Sequence, residues 1–195
     1  MKKNLLAEVT VPSLPPPPLK DSRKKLIAAI VIVVVAVAAV VGAYLLSRGY
    51  NPSNDNSSQA NVVGTASSLK FSVSVTHAGV SQGTYTYMAK NAGTANLMIR
   101  VDFSDTTGNV FTYIVNGAQQ KAWVYSGGQW QDISVSFSSQ WDSWNSAWMG
   151  YKDNLTGWTG IGDWTYTAPN GDSVRVYEIT VNPAFADSLF EPSPE

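Results

Sequence analysis

The sequence predicts a mainly β (α+β) protein, in which a single N-terminal transmembrane helix is followed by a curved antiparallel sheet of about eight strands. Three patterns predict this fold class. Residues 26–46 form an uncharged apolar run, and from residue 67 apolar and polar residues alternate with the period of two that is typical of strands. Residues 138–152 interrupt this alternation with the spacing of one inserted amphipathic helix.

The apolar run is long enough to cross a bilayer. It reads LIAAIVIVVVAVAAVVGAYLL and contains 21 residues without a charge, an amide or a proline. At 1.5 Å per residue it makes a helix of roughly 31 Å, against a hydrocarbon core of about 30 Å. Its valines and isoleucines would favour a strand in water, but a segment in lipid must satisfy its own backbone groups, so a helix is expected.

Charge predicts the orientation of this helix. The net charge of −1 for the 195 residues combines a basic head, residues 1–25 with a net charge of +4, and an acidic body, residues 49–195 with a net charge of −6. Four basic residues lie just before the run and only Arg48 lies just after it. The positive-inside rule therefore places the N-terminus in the cytoplasm and the C-terminal domain outside the cell membrane.

Four regions follow from these boundaries. They are a Pro-rich basic cytoplasmic tail (1–25), the transmembrane helix (26–46), a flexible polar stalk (47–66) and an extracytoplasmic domain (67–195). A cleavable secretory signal is the first alternative, although its apolar region is normally shorter and ends at small residues. A prepilin-type signal is the second, because Arg23-Lys24-Lys25-Leu26 is similar to that cleavage junction but lacks its small residue.

Alternation and turn signals predict the strands of the extracytoplasmic domain. The Asn116-Gly117 pair is a strong hairpin signal, because both residues tolerate a positive φ angle. Gly127-Gly128 and the segment 168–172 are two further turns. The predicted strands cover residues 69–76, 84–89, 96–103, 109–115, 118–126, 132–137, 163–167 and 173–181.

The inserted helix has an aromatic stripe. Its apolar residues follow helical spacing, with Ser138 or Ser139 as the expected N-cap and Gly150 as a weakening or terminating residue. A sheet that meanders past such a helix is expected to curve around it. The stripe consists of Trp141, Trp144, Ala147, Trp148 and Tyr151.

Composition argues against most chemistry. The absence of cysteine excludes disulfides, thiolate metal sites and thiol nucleophiles. The one histidine, His77, lies at an expected strand end, so we predict no catalytic triad and no transition-metal site. The acidic domain without a basic stripe argues against binding of nucleic acid. We therefore expect neither an enzyme nor a cofactor.

Aromatic residues are the feature that remains. All seven tryptophans lie after residue 122, and this bulk has two interpretations: the rings form the core, or they line an apolar pocket. We expect a ligand to lie between the sheet and the helical stripe. The candidate ligand-binding residues are Trp141, Trp144, Trp148, Trp123, Trp130, Phe71, Ile99 and Phe103.

The domain resembles the LolA/LolB-like lipoprotein-carrier half-barrel family over roughly residues 67–190. The resemblance rests on residues 111–117 (FTYIVNG), which lead to Lys121-Ala122-Trp123-Val124-Tyr125 and Gln129-Trp130, and on the closing segment 183–190 (PAFADSLF). It implies an incomplete barrel that is lidded by helices and shelters acyl chains. Members of that family are soluble shuttles, whereas this chain is predicted to be tethered and has one clear helix in its domain.

Together these features predict a membrane-anchored extracytoplasmic protein that binds a lipid or another amphiphilic or apolar ligand without catalysis. A pilin-like or cell-surface structural subunit is the first alternative, with a mature N-terminus at Leu26. A carbohydrate-binding surface module is the second alternative, and it requires coplanar tryptophans on an exposed face.

Overall fold

A computed structural model describes residues 60–167 and 171–193. The predicted cytoplasmic tail, the predicted transmembrane helix and residues 47–59 of the predicted stalk lie outside the described residues. Within the described ranges, no helix is both long enough and apolar enough to cross a membrane.

The described chain contains eight strands and one long helix, with short helical turns between them. The helix α1 (Ala60–Gly64) has 5 residues and α2 (Phe137–Leu155) has 19. Single 3-10 turns cover Ser134–Ser136 and Asp187–Phe190. The strands are β1 (Ser68–His77), β2 (Val80–Lys90), β3 (Met98–Ser104), β4 (Val110–Asn116), β5 (Lys121–Ser126), β6 (Gln129–Asp132), β7 (Trp164–Thr167) and β8 (Ser173–Val181).

All the strands belong to one open antiparallel sheet with the order β6-β5-β4-β3-β2-β1-β8-β7. The first six strands form a meander. The helix α2 then takes the chain from the β6 edge to the opposite side, where β8 pairs with β1. The predicted mainly β class, the antiparallel pairing and the long helix between the sixth and seventh strands are confirmed.

The sheet has two covered faces. On the inner face, which α2 covers, the apolar residues of the predicted alternation form the larger core. On the outer face, Met88, Met98 and Ile114 form a second cluster with Phe190, which belongs to the chain after β8. Because both faces are covered, side chains of either parity along a strand become buried, as the burial of adjacent residues Tyr113 and Ile114 in β4 illustrates.

The predicted sixth strand was wrong. Residues 132–137 were expected in a strand, but β6 lies earlier, at Gln129–Asp132, and Val135 is fully exposed. The Gly127-Gly128 turn is tight enough for Trp130 to pair directly with Tyr125. After Asp132 the backbone turns away, because the Ser134 amide donates to the Asp132 carboxylate at 2.8 Å.

The helix α2 begins and ends outside its predicted limits. Its N-cap position is Ser136, not Ser138 or Ser139, and the Ser136 hydroxyl donates to the Ile133 carbonyl without capping the helix. Gly150 does not end the helix, which continues to Leu155. A helical glycine costs about 1 kcal/mol, and burial of Tyr151 and Leu155 beyond it offsets that cost.

Residues assigned to the end of the predicted stalk carry structure. Val63 and Ala66 are buried, and the Ala66 amide donates to the Val63 carbonyl. The helix α1 also contacts α2. The packed body therefore begins before the predicted boundary at residue 67, because these small apolar residues cover the junction of the helix with the start of β1.

Candidate ligand-binding site

Aromatic rings fill the interface between α2 and the inner face of the sheet. Phe71 of β1 stacks on Trp148 of α2, with 5.9 Å between ring centroids. Tyr113 of β4 lies 4.9 Å from the Trp144 ring. Trp144 and Trp148 are each only 1% exposed. One turn of helix thus brings two tryptophans against three strands of the sheet, as the helical spacing predicted.

Four tyrosines from two strands and the helix form the centre of this interface. They are Tyr85 and Tyr87 of β2, Tyr113 of β4 and Tyr151 of α2, which we call the tyrosine cluster. The rings of Tyr87 and Tyr151 lie 5.3 Å apart, and those of Tyr85 and Tyr87 lie 6.5 Å apart. Four phenol side chains therefore pack close together among apolar residues.

Burial keeps these phenols neutral. It raises the pKa of Tyr85 and of Tyr113 to about 12, and it raises the pKa of Tyr151 and of Tyr87 above the usual value of 10.0. The charge that Tyr85 would carry if ionised raises the pKa of each of the other three further. The four hydroxyls thus lie near enough to one another to interact electrostatically.

Two polar atoms in this interior lack protein partners within the described residues. Two fully buried atoms, Gln140 Oε1 and Trp144 Nε1, have no hydrogen-bond partner within the described ranges, and they lie one helical turn apart on α2. Leaving a buried donor or acceptor unpaired costs about 1–3 kcal/mol. Two unpaired atoms one helical turn apart therefore need a physical explanation.

The interior contains no charge. The buried polar residues of the described chain are serine, threonine, asparagine and glutamine, without a single lysine, arginine, aspartate or glutamate. Three of the six basic side chains in the described residues make their contacts elsewhere. Lys90 and Arg100 lie on the outer face, where they bind the carbonyls of Phe185 and Leu189, and Arg175 pairs with Asp163 at the β7 edge.

Six of the eight candidate residues from the sequence belong to the inner face. Phe71, Ile99, Phe103, Trp144 and Trp148 are buried in its core. Trp141 is half-buried at the start of α2, where its ring stacks 5.8 Å from that of Phe137. These six side chains therefore belong to one packed core or lie against it, on the side of the sheet where the ligand was expected.

Trp123 and Trp130 lie on the outer face, separate from the other six. Ala122 and Val124 of β5 point into the inner core, so strand alternation turns Trp123 to the opposite side. Trp130 pairs across the ladder with Tyr125, and their rings are tilted by 54°. The Tyr125 and Trp130 rings are therefore not coplanar.

A glycine-rich segment, residues 156–163, connects α2 to β7 beside the inner core. Its Trp158 is half-buried against that core and donates through Nε1 to the Gly162 carbonyl at 3.0 Å. Gly160 and Gly162 have φ angles of +86° and +72°, which favour glycine. Ile161 between them is 83% exposed. Through Trp158 the segment covers part of the inner core.

The tyrosine cluster and Gln140 were absent from the candidates that the sequence supplied. Alternation alone treats Tyr85, Tyr87 and Tyr113 as inward apolar residues and ignores the hydroxyl. The available signal was the use of tyrosine where phenylalanine would pack equally well, because a buried phenol normally needs a partner. Gln140 carried a similar signal, since it lies one turn before Trp144 on the same helical face.

The isolated histidine makes one ion-pairing contact. His77 Nδ1 lies 2.9 Å from Asp172 Oδ1, and this contact joins the turn after β1 to the start of β8. The imidazole is 69% exposed. Within the described ranges, no group of three or more histidine, aspartate or glutamate residues is arranged to hold a metal ion.

Comparisons with known proteins do not place the chain in a family: no family model, no curated protein and no solved structure matches it. The geometry of the inner face is therefore the basis for a functional proposal.

Proposed function

We propose that this chain is a membrane-anchored extracytoplasmic binding protein for a lipid or another amphiphilic or apolar ligand, similar in role to the LolA/LolB-like carriers and without catalytic activity. In this proposal, residues 26–46 are a single transmembrane helix with the N-terminus in the cytoplasm. The sheet acts as a half-barrel, and the ligand lies between its inner face and α2.

One observation carries the proposal, namely the set of unpartnered polar atoms inside an aromatic interior. Small-molecule sites are mostly apolar, with a few converging polar groups that orient the ligand. Gln140 Oε1 and Trp144 Nε1 have this character. Selection for stability alone would favour apolar side chains such as phenylalanine and leucine at these positions. Buried polar groups without partners lower stability, and natural proteins retain them mainly at functional sites.

Access would require a movable cover, because Trp144 and Trp148 are closed off from solvent. The segment 156–163 has the composition for this role. Its glycines can adopt another backbone conformation at little cost in energy. Its exposed Ile161 offers an apolar contact to an approaching acyl chain. A tethered protein of this kind would pass its ligand to a neighbour at the membrane surface.

The test uses the full-length chain. It is isolated from membranes in a mild detergent, and the small molecules that remain bound are identified by native mass spectrometry followed by solvent extraction. The matched variant is Val101→Phe, which adds bulk to the inner-face strand position between Tyr87 and Tyr113. We expect a bound amphiphile on the parent chain and its loss from the variant. An empty parent chain, with circular dichroism that indicates a folded sheet, would refute the binding function.

Membrane orientation has a separate test that exploits the lack of cysteine. A single Val135→Cys variant places a thiol at a fully exposed site of the domain, and Ser13→Cys places one in the predicted tail. A membrane-impermeant maleimide added to intact cells should label the first and spare the second. The reverse pattern would overturn the orientation. A mature N-terminus at Leu26, measured by mass spectrometry, would instead support the pilin-like alternative.

A further inference from the structure

We propose that the ligand of this inner site is an electrically neutral amphiphile whose head group is a hydroxyl, such as a long-chain alcohol or a monoacylglycerol, and not a fatty-acid carboxylate or a phospholipid. The inference rests on the proposed binding function and narrows it to a class of head group. It follows from the charge and from the hydrogen-bonding character of the inner face.

The charge argument is the stronger of the two. An ion moved from water to an apolar interior needs a counter-ion or several strong donors, and without them the cost is several kcal/mol. No lysine or arginine of the described chain is buried, and Lys90, Arg100 and Arg175 are engaged on the outer face or at the β7 edge. A buried carboxylate or phosphate would thus have no cation beside it.

Hydrogen bonding selects among the neutral head groups. Trp144 Nε1 can only donate, Gln140 Oε1 can only accept, and a tyrosine hydroxyl can do both. A ligand hydroxyl has the same dual capacity, so it can accept from the indole while it donates to the amide oxygen one helical turn away. An ionised carboxylate can only accept, and it would leave the Gln140 oxygen unpaired or repelled.

The phenols do not alter this conclusion. Their raised pKa values keep them protonated at neutral pH, so they supply dipoles without charge. Tyr151 belongs to α2 and Tyr87 to β2. Their rings lie 5.3 Å apart, so this pair joins the helix to the sheet.

A matched pair of photoreactive probes tests the inference on the full-length chain in phosphatidylcholine vesicles. Both probes carry the same diazirine in the middle of a sixteen-carbon chain, and they differ only in ending in an alcohol or in a carboxylate. The amount of each probe in the vesicles is measured and matched at pH 8. Crosslinked peptides are then identified by mass spectrometry, and labelling of the peptides that carry the tyrosine cluster is followed as a function of probe concentration.

We expect the alcohol to label these peptides with a half-saturating concentration at least 10-fold lower than that of the carboxylate. The variant Tyr151→Phe should raise the alcohol's half-saturating concentration. The control Tyr177→Phe removes one hydroxyl from β8 on the outer face and should leave it unchanged.

The outcomes separate the two proposals. Equal labelling by both probes, or tighter labelling by the carboxylate, would overturn the neutral head group while leaving the binding function intact. Saturable labelling of the tyrosine-cluster peptides by neither probe would overturn both. An alcohol preference that Tyr151→Phe leaves unchanged would also contradict the inference, because the discrimination would then arise away from this cluster.

Discussion

Replacing Gln140 with methionine should make the ligand-free domain more stable while weakening its ligand binding. Gln140 is buried in α2, and its Oε1 has no partner within the described ranges. Methionine has nearly the same length and helix propensity, so the exchange removes the amide and little else. An unpaired buried acceptor costs about 1–3 kcal/mol, and we expect the free energy of unfolding to rise by about 1–2 kcal/mol.

Denaturant unfolding of the full-length chain in lipid, followed by tryptophan fluorescence, measures this change. All seven tryptophans follow residue 122, so the signal reports on the extracytoplasmic domain. The control is Gln119→Met, because Gln119 is exposed and donates to the Glu191 carboxylate. It should leave the free energy of unfolding within about 0.5 kcal/mol.

A loss of stability in Gln140→Met would refute this reasoning. The amide oxygen would then have a partner in the ligand-free protein, and the central observation behind the binding site would fail. A gain in stability with no loss of ligand would remove Gln140 from the site.

Two further predictions concern packing and titration. In Gly117→Ala the new Cβ would lie 2.8 Å from the Trp141 ring, so we expect denaturant unfolding to show a loss of about 1–3 kcal/mol, whereas Gly64→Ala, with its nearest atom at 3.8 Å, should be nearly neutral. Equal effects of the two substitutions would contradict the close docking of α2 on the β4–β5 turn. The pKa of Tyr85 and Tyr113 is raised to about 12, so the unfolded chain loses these protons first, and stability present below pH 10 should decline as pH rises from 10 toward 12. Phenolate absorbance checks this, and ionisation of all the domain's tyrosines near pH 10 in the folded protein would contradict it.

The sequence predicted the inner face well, because strand alternation and helical spacing report burial directly. Leu69, Phe71 and Val73 point inward as expected, and Trp144 and Trp148 meet them from α2. Alternation identifies only which residues share a face. It does not identify the strand end after Asp132, which a hydrogen bond from the Ser134 amide determines.

The division of the tryptophans between two faces was harder to predict. Both faces of the sheet are covered, so apolar residues of β5 occur on both faces. The sequence pattern of β5 therefore does not show which face Trp123 occupies. The covering element is the segment after β8, where Phe190 packs on Ile114 and Lys90 binds the Phe185 carbonyl. Such contacts between residues distant in sequence leave no periodic pattern.

The periodic pattern of the sequence also could not predict the unpartnered atoms of the inner face, because a missing partner depends on what surrounds an atom in three dimensions. The indole N–H of Trp144 is the most specific of these atoms, because it can only donate a hydrogen bond. Its proton resonance therefore provides the most direct test of a ligand at this site.

That test is a titration of the full-length, ¹⁵N-labelled chain in lipid nanodiscs with a long-chain alcohol, followed by NMR of the indole N–H signals. The account predicts that the Trp144 signal moves downfield in a saturable manner, as its N–H gains an acceptor. The signal of Trp158, which already donates to the Gly162 carbonyl, should stay comparatively unchanged. A Trp144 signal that does not respond to the alcohol, in a protein whose other indole signals indicate a folded domain, would contradict a binding site on the inner face.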